Sequence, residues 1–205
     1  MTRGQWRREL RQRRRRLSKT QQALASRKLC RRIAQLPAFW RSRHIGLYLA
    51  NDGEIDPSPL LKLAQRRGKH CYLPVVSGIW PRGQMRLQRL RPGQRWIKNR
   101  FGICEPAPAP RRQVKAWQLD LLLLPLVGFD RQGNRLGMGG GFYDRCLAYR
   151  QRRSHWIRPQ LLGLAHHCQE VTALPIALWD VPLDGIITDK DSWLMLSGLS
   201  TDTRR

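Results

Sequence analysis

The run Asp120 to Val127 (DLLLLPLV) narrows the choice of fold more than any other stretch of this chain. Its apolar residues do not alternate with polar ones, so a strand built from them has to be covered on both faces, as the central strands of parallel sheets are. Shorter apolar runs recur at His44 to Ala50 (HIGLYLA), His70 to Val76 (HCYLPVV), Leu161 to Ala165 and Asp184 to Thr188, with helical patterns between them. Strands alternating with helices build a layered sheet. The expected fold class is α/β: a three-layer α/β/α sandwich around a mostly parallel or mixed central sheet. One domain is expected over residues 1–197, with 198–205 as a disordered tail. Such sheets bind ligands beyond the carboxyl ends of their strands.

Local signals set the helices. Trp6, Leu10 and Leu17 fall near helical spacing among arginines and predict a first helix over about residues 3–16 with a basic outer face. Ser18 and Gln21 form a capping-box pattern for a second helix, which carries Ala25, Leu29, Ile33 and Leu36 and ends at Pro37. Asp56-Pro57 reads as the N-cap and first position of a third helix, closing at Arg66-Arg67-Gly68 between two strands of a βαβ unit. Met85 to Leu90 reads as a shorter strand. Pro92 and the run Glu105 to Pro110 read as an extended connection, because proline removes amide donors. Another helix is expected to begin near Phe142.

Composition matters for what it excludes. The 205 residues include 39 Lys or Arg against 14 Asp or Glu, a net charge of +25, so polyanions must be weighed as partners. Residues 1–16 hold eight arginines and one glutamate, a net +7, which leaves +18 spread along the chain. That spread, with no Arg-Gly-Gly repeats and eight tryptophans at no fixed spacing, reads as a basic surface rather than a single-strand binder. The longest apolar run, Leu121 to Phe129, falls short of the about 20 residues that a membrane span needs. No apolar stretch follows Arg16 to form the middle of a signal peptide. Cys30, Cys71, Cys104, Cys146 and Cys168 are scattered with no Cys-x-x-Cys pair, which suits reduced thiols in a cytoplasmic protein.

Chemistry concentrates after the central strand. Gly137, Gly139, Gly140 and Gly141 remove Cβ atoms from a loop entering the helix near Phe142, which lets peptide amides and the helix N-terminus approach an anion. The segment is neither a P-loop ending in Lys-Ser/Thr nor a dinucleotide fingerprint. Asp144, one turn further, is of the right type to hold magnesium on bound phosphates. A tight glycine turn with an acid complementing the helix dipole explains the same spacing. On residue types alone both readings stand.

The run Arg135-Leu-Gly-Met-Gly-Gly-Gly-Phe-Tyr-Asp-Arg145, with Asp120 to Asp130 ahead of it, resembles the signature of the 5-formyltetrahydrofolate cyclo-ligase (methenyltetrahydrofolate synthetase) family. Asn51 to Asp56, Asn99 to Pro106, Gly163 to Gln169 and Trp179 to Pro182 agree in the same order, so the likeness runs from about Arg7 to Thr188. It implies an ATP- and Mg2+-dependent conversion of 5-formyltetrahydrofolate to 5,10-methenyltetrahydrofolate with release of ADP and phosphate. Phosphoryl transfer asks for positioning and charge neutralisation, so no protein nucleophile is implied.

Position by position, the resemblance implies ATP contacts from Arg7, Arg11, Arg135, Leu136, Gly137, Met138, Gly139, Gly140, Gly141, Phe142 and Tyr143. It implies folate contacts from Asn51, Glu54 and Arg100, and magnesium held by Asp144 and Asp180. Phe142 stands where many relatives have tyrosine, and Met138 and Gly140 where some are basic, so no hydroxyl or basic contact is implied there. Asp52-Gly53 and Asp56 have turn and cap explanations and stay outside the expected site. Contact by His166, His167 or Gln169 is left open. The implied partners are a reduced folate and ATP, bound by a cytoplasmic monomer. The rival reading is a nucleic-acid-associated protein using the Arg11 to Arg16 cluster.

Overall fold

The structure, a computed structural model, describes residues 1–77, 84–99, 102–152 and 158–195. Arg100 and the expected tail 198–205 lie outside the described residues. Capping boxes open the first two helices, Thr2 with Gln5 for α1 (Arg3–Arg15) and Ser18 with Gln21 for α2 (Lys19–Gln35). Pro37 stops α2 and starts the short α3 (Pro37–Arg41). There follow β1 (His44–Gly46), α4 (Ser58–Arg66), β2 (His70–Ser77), β3 (Gln84–Arg89), β4 (Trp96–Lys98), β5 (Cys104–Pro106), β6 (Gln113–Val114) and β7 (Leu121–Pro125). The chain continues through β8 (Gly128–Phe129), β9 (Arg135–Leu136), α5 (Phe142–Leu147), α6 (Tyr149–Arg152), β10 (Gln160–Ala165), β11 (Gly185–Thr188) and β12 (Ser192–Leu194).

The main sheet runs β12-β11-β10-β7-β1-β2-β3-β6. Its five middle strands, β11, β10, β7, β1 and β2, are parallel, and antiparallel strands close both sides. Leu121 and Leu123 of β7 face one core with Leu29 and Ile33 of α2, Phe39 of α3 and Leu60 of α4. Leu122 and Leu124 face a second core with Leu147 of α5 and Ala116. Alternate side chains of an all-apolar strand therefore serve both layers, as expected of a doubly covered strand.

Three local differences from the sequence expectations have physical causes. β1 is shorter than the apolar run His44 to Ala50. After the Leu47 amide bonds to the Tyr72 carbonyl the chain turns off the sheet, and the Tyr48 hydroxyl donates to the Ile55 carbonyl instead. α4 begins one step late, because Asp56 accepts hydrogen bonds from the Ser58 amide and hydroxyl. The stretch before the proline run is partly a hairpin of β4 and β5, drawn together where Asn99 donates to the buried Glu105 carboxylate.

Candidate active site

The carboxyl ends of β1 and β7 release two loops to the same pole of the sheet. One, after β1, carries Asn51 to Asp56; the other, after β9, carries Gly137 to Gly141. α1 lies across that pole. Its Leu10 packs with Val127, Leu136, Val171 and Leu174, and Trp6 covers the edge of this small core. From this seat α1 reaches both loops. Arg7 Nε donates to the Gly137 carbonyl at 2.9 Å, and a Cβ at Gly139 would stand 3.4 Å from the Arg7 guanidinium carbon. Gly139 and Gly141 have φ of +97° and +62°, a region closed to most L-residues, so the loop needs glycine at both.

The β1–α4 loop is held by charge. Asp52, at φ 53°, accepts from Arg11 Nε at 2.7 Å and from Arg14 Nη2 at 3.0 Å, and also pairs with Arg15. Arg14 is wholly buried and spends its remaining donors on the Asp52 and Leu126 carbonyls. Burial alone would push the Asp52 carboxyl up, but hydrogen bonds from Arg11, Arg15 and Arg14 hold it down at about 2. Glu54 responds in the opposite sense. Its side chain is 11% exposed, its nearest cation is Arg14 at 3.9 Å, and desolvation raises its carboxyl to about 7. Glu54 Oε2 accepts from the Asn51 amide at 3.1 Å. Across the gap the Tyr143 phenol is pushed well up, first by loss of water and then by Glu54.

The two remaining acids are held by arginines. Arg135, the buried first residue of β9, donates to Asp144 and to the Val181 carbonyl, so it braces the start of α5 against the segment before β11. Arg3 forks onto Asp180 at 2.5 and 3.0 Å, which keeps that carboxyl low despite its burial. Arg135 is thus paired with Asp144, and Asp180 adds a favourable field at the same guanidinium. Just before Asp180, Ile176, Leu178 and Trp179 turn apolar surface to water.

Comparison with known proteins settles the lineage. A model of the 5-formyltetrahydrofolate cyclo-ligase family matches residues 1–189. The chain belongs to the 5-formyltetrahydrofolate cyclo-ligase family. Among its relatives, the 5-formyltetrahydrofolate cyclo-ligase of Escherichia coli (strain K12) is 38% identical over 184 residues, covering 90% of this chain and 98% of that one. The enzyme of the same name from Haemophilus influenzae is 39% identical over 185 residues, covering 90% and 96%. The solved structure of Aquifex aeolicus 5,10-methenyltetrahydrofolate synthetase superposes with a TM-score of 0.82 at 29% identity, covering 100% of this chain and 98% of that one.

Within this cyclo-ligase frame, most residues singled out in the sequence come together at one pole. Arg7 sits on the glycine loop, Met138 Sδ lies 4.0 Å from Arg14, and Glu54 faces Tyr143. The Phe142 ring is stacked under the Arg145 guanidinium at 5.0 Å. Arg11 is tied to Asp52, and Leu136 is buried beneath Leu10 with its carbonyl accepting from the Val127 amide, so Leu136 anchors the loop. α5 has six residues, too short for a substantial dipole, so any anion affinity falls to the loop amides and arginines rather than to a helix end. Gln169 is consumed by backbone, donating to the Leu126 and Val127 carbonyls and accepting from the His166 amide. His166 is buried with neither ring nitrogen hydrogen-bonded, and desolvation lowers its pKa. Sequence reasoning missed Arg3, Arg14 and Asp52. For Arg14 a signal existed: it stands four residues after Leu10 and eight after Trp6, a lone charge on the apolar stripe of α1.

Proposed function

We propose that this protein closes 5-formyltetrahydrofolate to 5,10-methenyltetrahydrofolate at the expense of ATP, at the pole where α1 joins the two loops. Family membership supports the reaction. The observation that carries the location is the bridge made by α1, whose Arg7 touches the glycine loop while Arg11 and Arg14 grip the loop of Glu54. ATP would lie on the amides of residues 137–143, with Arg7 and Arg135 near its phosphates. The folate would present its pterin to Glu54 and Asn51, with its aromatic rings against the apolar segment before Asp180. An ionised Glu54 accepts hydrogen bonds from pterin N–H groups, which a protonated one does far less well.

The formyl oxygen is a poor leaving group. It attacks the γ-phosphorus, the bond to the bridging oxygen breaks, and ADP departs. The folate's N10 then adds to the activated formyl carbon, the carbon–oxygen bond breaks with release of phosphate, and the N10 proton passes to solvent. The protein's part is to hold the two substrates in line and offset phosphate charge, so the absence of a nucleophile is no obstacle.

Two carboxylates suit a magnesium ion that arrives with the nucleotide, since that ion pairs one or two acids with substrate phosphates. Among the described residues no group of three or more His, Cys, Asp or Glu could hold a metal by itself. Asp144 and Asp180 would hold the ion, and when bound it neutralises charge building on the transferred phosphoryl group. Arg135 and Arg3 occupy those acids meanwhile, and each is placed to turn from carboxylate to phosphate. The enzyme would work as a cytoplasmic monomer; no described helix is long and apolar enough to cross a membrane. The test is direct: mix the protein with ATP, magnesium and 5-formyltetrahydrofolate and follow methenyl absorbance. Absorbance growth that needs all three components is expected; none, with intact protein, would overturn the reading.

A further inference from the structure

The helical layer remote from α5 carries charge of one sign. No carboxylate stands between Glu9 and Asp52 or between Asp56 and Glu105, so α2, α3 and α4 contain none. Most of their apolar side chains are buried on the sheet, Leu24 and Trp40 being the large exposed ones. What they turn to water includes Arg27, Lys28, Arg31, Arg41, Lys62 and Arg66, with Arg67 just beyond. The N-terminal arginine cluster is different, because Arg11, Arg14 and Arg15 converge on Asp52.

Chain direction gathers part of this charge at the pole opposite the glycine loop. α3 leads into the start of β1, and α4 returns to the start of β2, so Arg41, Arg66 and Arg67 lie near the amino ends of the strands. Trp40 stands among them, 46% exposed, with the Arg67 guanidinium 5.0 Å and the Lys69 ammonium 5.9 Å from its ring. Beside it a cleft of about 370 Å³ opens between Leu36, Pro37, Arg41, Asp120, Arg158 and Gln160, where Arg158 is paired with Asp120 at 3.4 Å and Arg41 remains as the cation on the Trp40 side. An open indole among guanidinium forks suits single-stranded nucleic acid, whose phosphates take the forks and whose bases stack on the ring. A lipid surface suits this face less well, because α2 and α4 point their apolar sides inward. We propose that this face binds single-stranded nucleic acid, as an activity separate from the reaction at the other pole.

Anisotropy of a labelled oligouridylate, titrated at several salt concentrations, tests the proposal. Binding should weaken with salt by a slope of about 0.7 per phosphate neutralised. The triple change Arg41→Gln, Arg66→Gln and Arg67→Gln should then lower the slope by about 2. Trp40→Leu should weaken binding roughly 5- to 150-fold. A charge-matched control, Arg8→Gln, Arg16→Gln and Arg111→Gln, removes exposed arginines elsewhere and should change little. Methenyl formation should be unaltered in the first triple variant. Equal loss in both triple variants would mean diffuse charge and sink the proposal, as would no binding by the parent protein. Tighter binding to phosphatidylserine vesicles than to oligouridylate would overturn it in favour of a membrane.

Discussion

Replacing Glu54 by glutamine should make the protein more stable, by an amount that grows as pH rises from about 4.5 to 7 and is complete above that. The Glu54 carboxyl is raised from 4.5 to about 7 by desolvation, with Arg14 at 3.9 Å too distant to restore it. In the unfolded chain this group ionises near its ordinary value, whereas the folded protein keeps its proton longer. The folded state thus binds more protons, and stability falls as pH rises through the window from about 4.5 to 7. Between 4.5 and about 7, at 1.36 kcal/mol for each tenfold change in proton concentration, about 3 kcal/mol is lost above that window. Glutamine keeps the shape without the charge, and Arg14 retains Asp52. For a chain of this size about 3 kcal/mol moves Tm by roughly 6–12 °C. Scanning calorimetry at pH 4 and pH 8 should give nearly equal Tm values at the lower pH and a higher one for the variant at pH 8. The same variant should bind 5-formyltetrahydrofolate more weakly, and the parent's kcat/KM for folate should climb through pH 7 as the carboxylate forms. A Tm difference independent of pH would refute the reasoning, whatever the kinetics show.

Asp52 gives the opposite pH signature: held down from 3.8 to about 2, it contributes about 2 kcal/mol that is present above pH 4 and disappears as pH falls towards 2. Asp52→Asn should raise the midpoint of acid unfolding followed by circular dichroism and cost roughly 3 kcal/mol at pH 7, because Arg14 stays buried without its carboxylate; an unchanged midpoint would contradict this. Gly139→Ala puts a side chain at φ +97° and 3.4 Å from the Arg7 guanidinium, so ATP affinity by calorimetry should drop about tenfold while folate affinity holds. Asp144→Asn should cut turnover and raise the magnesium needed for half-maximal rate; chelation should stop turnover in the parent yet leave folate binding measurable, and a variant with parental magnesium dependence would remove Asp144 from that role.

The sheet was readable because a strand buried on both faces has to be apolar throughout. Leu121 to Leu124 could be nothing else, and their place near the centre of the parallel strands follows. Boundaries were harder. His44 to Ala50 is apolar after its first residue, yet only its start is strand, since Tyr48 is buried equally well in a loop once its hydroxyl finds the Ile55 carbonyl. Burial alone does not distinguish a strand from a packed loop. The β4–β5 hairpin escaped for a related reason: its pairing depends on Asn99 reaching Glu105, six residues on, and no alternating pattern announces that.

The site divides along the same line. Gly139 and Gly141 advertise themselves, because a positive φ restricts the residue and the restriction is local. An ion pair carries no such mark. Eight arginines in the first sixteen residues look alike by type, and which of them is buried, latched or left to solvent is decided by carboxylates far along the chain. Asp52 draws three of them, and Asp180 takes Arg3 across 177 positions. Asp52 looked like a turn residue, and its positive φ shows that it is one. Its second role arises because the same turn holds its carboxylate against α1, where a buried guanidinium requires an anion. One residue therefore satisfies a backbone rule and an electrostatic one together, and only the first is visible before the chain is folded.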